Sequence, residues 1–162
     1  MQYVVILMLT ALACLNLNMA QAAYVFQRES LKGLPEEISV IIEKIQSDAQ
    51  ADGLSQDAIR TAVEVILRSS GLQVVPAAEA FLTVNVGTIK EASMPLYSCS
   101  VSVTLYQQVR FMHRPQDETY YASTWNSGSV AYFSPSRIRE VVNIVEGHVK
   151  EFANDFLAVN PR

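Results

Sequence analysis

Two histidines, His113 and His148, are the side chains of this chain best suited to proton transfer or metal binding near neutral pH. They fall in different predicted elements, a turn and a terminal helix, and neither belongs to an H-x-x-x-H, H-E-x-x-H or Cys/His pattern. The sequence therefore predicts neither a metal site nor histidine-based catalysis. Both histidines are expected to be ordinary surface or boundary side chains.

Motifs for nucleophilic catalysis and phosphate binding are missing from the sequence too. Ser127 and Ser129 flank Gly128, but they lie on a predicted strand, whereas a G-x-S-x-G nucleophile lies at a strand-to-helix turn. The six glycines are scattered and form no G-x-G phosphate loop. We therefore expect a non-enzymatic protein without a cofactor. A hydrolase with an unfamiliar pair of carboxylates facing each other across a cleft stays open as an alternative.

Aromatic and polar side chains on two neighbouring predicted strands form the best candidate contact surface. Tyr106, Gln108 and Arg110 alternate along one strand, while Tyr121 and Trp125 lie on the next. If these strands pair, the side chains project from the solvent-facing side of the sheet, where aromatic residues and arginine suit contact with a protein or a glycan. The alternative is an ordinary sheet surface, because tyrosine has a high strand propensity and an amphipathic side chain.

The strands that position these side chains follow from hydrophobic periodicity. Residues 37–43 alternate as a half-buried strand, and residues 81–89 form a second strand. The clearest alternation runs from Tyr97 to Phe111, where one parity is mainly apolar and the other is dominated by serine, threonine and glutamine. This pattern predicts a long antiparallel strand with one buried face, and residues 119–133 return as its partner.

Two helices are predicted to cover this sheet. One begins at the N-cap Ser55 and ends before Gly71, and the other begins at Pro135 and buries a stripe of apolar residues. That stripe consists of Ile138, Val142, Val145, Val149, Phe152 and Phe156. The predicted order is β-α-β-β-β-α, an α+β fold in which an antiparallel meander sheet carries two helices on one face. The alternative role of the stripe is a seam between two copies in a homodimer.

The segment from Met1 to Ala23 contains no charged side chain and is typical of a targeting sequence. Its apolar run from Val4 to Leu15 is too short to span a bilayer and matches the core of a signal peptide. Ala20–Gln21–Ala22 supplies the small-x-small cleavage pattern. We therefore predict a cleaved signal peptide over residues 1–22, one α+β domain over residues 23–162, and a periplasmic or secreted protein. The residues before Cys14 resemble a lipobox only weakly, so a lipid anchor is not expected.

Length and composition exclude several other classes of protein. The chain has 162 residues and a net charge of −4, so it fits one domain and offers no basic field for nucleic acid. Half of its residues are apolar, which excludes a disordered chain. Removal of the signal peptide leaves Cys99 as the single cysteine, so no internal disulfide is expected. Its place on the apolar parity of a strand predicts a buried thiol.

Several short segments together resemble a family of small secreted proteins of Gram-negative bacteria that has no assigned activity. They are Ile59–Arg60-x-x-Val63–Glu64-x-x-Leu67–Arg68, Leu82-x-Val84-x-Val86, Tyr97–Ser98-x-Ser100–Val101–Ser102–Val103, Trp125-x-x-Gly128 and Phe152-x-Asn154–Asp155–Phe156–Leu157. The order of elements is similar to that of the periplasmic domains of outer-membrane assembly lipoproteins, such as the curli secretion lipoprotein, and of the amino-terminal domain of TolB. The resemblance implies a protein of the cell envelope.

The leading hypothesis is a non-enzymatic envelope protein that uses its sheet face or sheet edges to contact another protein or the cell wall. The second hypothesis is a periplasmic carrier that holds a small apolar or glycan ligand between sheet and helices. An enclosed cavity of roughly 300–1,000 Å³ distinguishes such a carrier from a surface-binding protein. Neither hypothesis includes a membrane-spanning segment in the mature chain.

Overall fold

A five-stranded sheet with helices packed against it forms the fold in the computed structural model, which describes residues 25–113 and 118–161. The strands are β1 (Glu37–Ile42), β2 (Gln73–Val74), β3 (Phe81–Lys90), β4 (Tyr97–Val109) and β5 (Tyr120–Phe133). The helices are α1 (Ser47–Ala51), α2 (Gln56–Ser69) and α3 (Val141–Val159), with a 3-10 helix at Pro135–Glu140 and a helical turn at 25–29. The predicted signal peptide lies outside the described residues.

The sheet has the strand order β2-β1-β3-β4-β5 and is mixed. β3, β4 and β5 pair antiparallel in chain order, as expected of a meander. β1, however, pairs parallel with both β2 and β3, so the sheet is not antiparallel throughout. The chain that follows β1 passes through α1 and α2, which gives the long crossover that parallel pairing requires. The α+β class is confirmed. The prediction of a fully antiparallel sheet is wrong for β1, because hydrophobic periodicity indicates which residues form a strand but not the direction in which strands pair.

Local sequence signals determine where α2 begins and ends. The Ser55 hydroxyl oxygen accepts the Ala58 N–H at 3.2 Å and caps the first turn. Gly71 has a φ of 83° just beyond the last turn, a conformation that favours glycine. The last helix begins later than predicted, because Pro135 opens a 3-10 helix and α3 starts at Val141.

The hydrophobic core lies between one face of the sheet and the helices. The apolar parity of β4 is buried from Tyr97 to Leu105, as its alternation predicts. Cys99 is a buried free thiol, and burial raises the pKa of this thiol. Val149 and Phe152 of the helical stripe are fully buried in the same core, so the stripe packs against the sheet instead of forming a dimer seam.

The opposite face of the sheet carries small polar side chains, and we call it the bare face because the described helices pack on the other side. On β4 it consists of Ser98, Ser100, Ser102, Thr104, Tyr106 and Gln108, none of which is buried. In register on β3 are Phe81, Thr83, Asn85, Gly87 and Ile89. None of the described helices is long and apolar enough to cross a membrane.

Candidate functional site

A bulge in β5 decides which side chains reach the bare face. Leu105 pairs with Trp125, but the next residue, Tyr106, pairs with Ser123, so Thr124 is an extra residue in β5. Because side chains alternate between the faces of a sheet, this extra residue reverses the parity of β5 on its two sides. Tyr121 therefore shares the bare face with Gln108, whereas Trp125 faces the core.

Trp125 does not belong to the predicted contact surface, and this part of the prediction is wrong. Its side chain is 1% exposed, and its Nε1–H donates to Asp155 Oδ2 at 3.0 Å. It also meets Phe152 of α3 edge-on, with ring centroids 5.2 Å apart. Simple alternation from Tyr121 places Trp125 on the same face, and only the bulge at Thr124 moves it to the core.

Three aromatic rings gather at one end of the bare face, and we call them the aromatic cluster: Phe81, Tyr106 and Tyr121. Phe81 stacks on Tyr106 with ring centroids 5.1 Å apart and an angle of 12° between the planes. It also contacts Tyr121, with centroids 5.3 Å apart and planes tilted by 52°. Gln108 Nε2 donates to Tyr121 Oη at 3.2 Å. Three of the predicted site residues, on the two adjacent strands β4 and β5, are thus brought together with Phe81 of β3.

Phe81 is a member that the sequence analysis missed, and Arg110 is a predicted member that lies apart. Phe81 opens β3 on the parity opposite to the buried Leu82, which is the signal that places it on the bare face. Arg110 is exposed and lies one residue beyond the end of β4. The aromatic cluster therefore contains Tyr106 and Tyr121 as predicted, with Gln108 beside them.

An open cleft of about 470 Å³ lies beside the aromatic cluster. It is lined by Pro35, Glu37, Ala77, Ala78, Glu79 and Tyr121. A smaller recess of about 90 Å³ shares Pro35 and Glu79 and adds Gln107 and Gln108. Ring faces, two carboxylates and two amides thus converge at one end of the sheet. Aromatic faces pack against C–H groups, while carboxylates and amides accept hydrogen bonds from hydroxyls.

A row of uncharged polar groups extends across the bare face from the aromatic cluster. Along β4 it continues from Thr104 through Ser102 and Ser100 to Ser98. Asn85 of β3 lies opposite Ser102, and Asn126 of β5 lies opposite Thr104. The far end of the face becomes apolar again, with exposed fractions of 69% for Ile89, 65% for Val130 and 70% for Tyr132. The face therefore offers hydroxyl and amide groups between the aromatic cluster at one end and exposed apolar side chains at the other.

A second polar cluster joins side chains that the sequence analysis left unconnected. Ser129 Oγ lies 2.9 Å from His148 Nε2, and Ser127 Oγ lies 2.8 Å from His148 Nδ1. Ser127 also donates to Glu151 Oε2 at 2.6 Å. Because the Ser127 proton goes to Glu151, Ser127 accepts from His148 Nδ1–H.

Serine hydrolases place a serine nucleophile, a histidine base and an acidic residue in direct sequence. Here Ser129 contacts His148, but Ser127 lies between His148 and Glu151. The two clefts described above are lined by other residues. The four side chains fasten α3 to β5, and we interpret the cluster as structural. Sequence gave no signal for it, because the two serines and the helix meet only through tertiary packing.

An ion pair between Asp52 and Lys90, the last residue of β3, shifts the pKa values of the groups around it. Asp52 accepts from Lys90 Nζ at 2.7 Å and from Tyr97 Oη at 2.6 Å. The Lys90 ammonium, followed by the Tyr97 hydroxyl, lowers the pKa of Asp52, while burial raises the pKa of Tyr97. In the described residues, no group of three or more histidine, cysteine, aspartate or glutamate side chains is arranged to hold a metal ion.

No family model matches this chain, and no curated protein matches it either. Among solved structures, the chain is similar to the crystal structure of a minor lipoprotein from Acinetobacter baumannii. The two share 11% sequence identity, with a TM-score of 0.29, over 76% of this chain and 90% of that chain. At this TM-score the likeness carries no argument about fold or function.

Proposed function

We propose that this chain is an exported, non-enzymatic protein that binds a neutral glycan of the cell wall on its bare face. The observation that carries the proposal is the aromatic cluster beside an open cleft that contains two carboxylates. A few polar groups placed around an apolar ring surface are the usual composition of a small-molecule site. The resemblance to secreted envelope proteins agrees with this location.

The chemistry of the site fits a sugar better than an apolar ligand. A pyranose ring presents C–H groups on its faces and hydroxyls around its rim. The exposed ring of Tyr121 supports such a face, while Glu37, Glu79 and Gln108 accept or donate hydrogen bonds at the rim. An apolar ligand would leave these polar groups without partners, which costs binding energy.

The shape of the site favours a polymer over a small ligand carried inside the protein. A carrier encloses its ligand between sheet and helices, whereas this cleft opens to solvent. The polar row then continues the surface along β4 from Thr104 to Ser98, where β4 contributes no charged side chain and Asn85 of β3 donates to the Glu43 carboxylate. A neutral, repeating chain of sugars can follow such a row, with one unit anchored at the aromatic cluster.

The test is a titration with soluble β-1,4-linked N-acetylglucosamine oligomers, followed by amide chemical shifts and calorimetry. We expect shifts at Phe81, Tyr106 and Tyr121. The Y121A variant should weaken binding at least about tenfold, which equals about 1.4 kcal/mol. Y121F keeps the ring and should retain most of the affinity. I89A is the matched control, because Ile89 is also exposed on the bare face but lies at its other end, on β3.

Three results would contradict the proposal. One is the absence of any shift at the aromatic cluster with these oligomers. Another is equal weakening by Y121A and I89A, which would show that the aromatic cluster is not the anchor. The third is binding of a quaternary ammonium ion such as choline but not of the oligomers, since rings beside carboxylates also suit a cation.

A further inference from the structure

The two edges of the sheet are built very differently. At one edge, β2 has only two residues and is soon followed by Pro76. At the other edge, β5 has fourteen residues and contains neither a charged residue nor a proline. Short strands, prolines and charges are the usual means of protecting a sheet edge, because an open edge presents unpaired N–H and C=O groups. β2 has this protection, whereas β5 has only the bulge at Thr124, and the strand beyond it has none of these devices.

The open part of β5 is its second half. Near the bulge, Ser30 Oγ donates to the carbonyl oxygen of Thr124 at 2.8 Å, so the amino-terminal segment already contacts the strand there. From Asn126 to Phe133 the strand pairs with β4 on one side, and the described residues place no strand on its other side. The residues from Asn126 to Phe133 thus form an uncharged edge, along which every second residue directs its N–H and C=O groups away from β4.

We infer that β5 pairs antiparallel with β5 of a second copy, so that the sheets of both copies join into one. An antiparallel pair of identical strands is self-complementary and has twofold symmetry. Each copy carries a net charge of −4, and β5 itself brings no charge to the seam, while the Glu151 carboxylate that Ser127 binds lies on the side of the strand that faces α3. The exposed Val130 and Tyr132 of both copies then lie near one seam.

The assembly closes at two copies. Once both β5 edges are paired, the edges that remain are the two β2 strands, which are short and followed by proline. The twofold axis is perpendicular to the sheet, so both bare faces lie on the same side of the dimer. Two aromatic clusters then face one surface, which would strengthen attachment to a repeating polymer. The pairing itself does not depend on the proposed ligand.

The test is sedimentation equilibrium of the exported protein from low to high micromolar concentration. We expect a reversible monomer–dimer equilibrium. V130K should raise the dissociation constant at least about tenfold, because it places a charge from each copy at the seam. I89K is the matched control, since Ile89 is equally exposed on the bare face but lies on β3, away from the edge. Circular dichroism verifies that both variants are folded.

Amide hydrogen exchange supplies a second readout that does not depend on a substitution. Protection at residues 126–133 should increase with protein concentration, while protection of β2 should not. A monomer at all concentrations would overturn the inference, as would growth beyond dimers. Equal weakening by I89K and V130K would indicate face-to-face packing, and a dimer without new protection in β5 would exclude edge pairing. None of these measurements uses a glycan, so they stand apart from the test of ligand binding.

Discussion

Trp125 shows how one residue connects the edge strand to the last helix. Its indole N–H donates to Asp155, and its ring meets Phe152. W125A should lower the free energy of unfolding by about 3–5 kcal/mol, the usual cost of removing a fully buried large aromatic side chain. Urea denaturation measures this, with Y132A on the same strand as an exposed control that should change stability far less. A W125A variant as stable as the wild type would contradict the core position of Trp125.

The hydrogen bonds of Asp52 make a pH-dependent contribution to stability. Its pKa is lowered in the folded protein, mainly by Lys90 and then by Tyr97. A lowered carboxyl pKa stabilises the fold above the ordinary value of about 4, and this stabilisation disappears as pH falls through the folded-state value. D52N should therefore be less stable than the wild type at pH 7, and the difference should shrink in strong acid.

Unfolding by urea at neutral and acidic pH checks this expectation for Asp52. K90Q serves as the companion variant, because it removes the first of the two partners and should produce a smaller change of the same sign. If the difference in free energy of unfolding between D52N and the wild type stays constant with pH, Lys90 and Tyr97 do not stabilise the charged form of Asp52.

At the scale of elements, the sequence predicts the buried face of a helix or strand, because that face follows a local periodic pattern. It does not predict strand direction or bulges, because these depend on how two strands pair. The alternation of β4 and the apolar stripe of α3 are local patterns, so their buried faces are predicted correctly. The parallel pairing of β1 and the bulge at Thr124 are properties of two strands together. That is why the sequence predicts the aromatic cluster only in part: it indicates Tyr106 and Tyr121, assigns Trp125 to the wrong face, and does not indicate Phe81.

Two glycines in regular elements should respond to alanine in opposite ways. Gly147 lies within α3, and a Cβ built there meets no atom within 4 Å. G147A should raise the free energy of unfolding by about 0.5–1 kcal/mol, because alanine loses less conformational freedom in a helix. Gly128 of β5 is the contrast, since its Cβ would lie 2.9 Å from the Val101 carbonyl oxygen. G128A should therefore lower the free energy of unfolding. Thermal unfolding of both variants tests the two predictions, with a higher melting temperature expected for G147A and a lower one for G128A.

At the scale of the whole molecule, the candidate site is assembled from distant parts of the chain. The aromatic cluster comes from three adjacent strands, and the cleft beside it adds Pro35, Glu37 and the loop at 77–79. Sequence periodicity places each ring on a face but does not bring loop residues next to it. The cleft and its two carboxylates therefore could not be predicted before the tertiary structure was known.

The amino-terminal segment that carries Pro35 is held in place by the other end of the chain. Asn160 Oδ1 accepts the Gly33 N–H at 2.8 Å, and Asn160 Nδ2 donates to the Leu31 carbonyl at 2.9 Å. N160A should lower the free energy of unfolding by about 1–3 kcal/mol, because it removes both bonds to the amino-terminal segment together with the bond from Asn160 Nδ2 to the Phe156 carbonyl. Amide exchange should then quicken over residues 25–34, next to one wall of the cleft.

N154A provides the matched control for this effect, since Asn154 is an exposed residue of α3, the helix that ends just before Asn160. It should leave exchange in the amino-terminal segment unchanged. Because Pro35 lines the cleft, N160A should also weaken any ligand that binds there, while N154A should not. If the segment stays equally protected in N160A, the buried Leu31 and Leu34 are sufficient to hold it, and the two ends of the chain are joined by apolar packing instead.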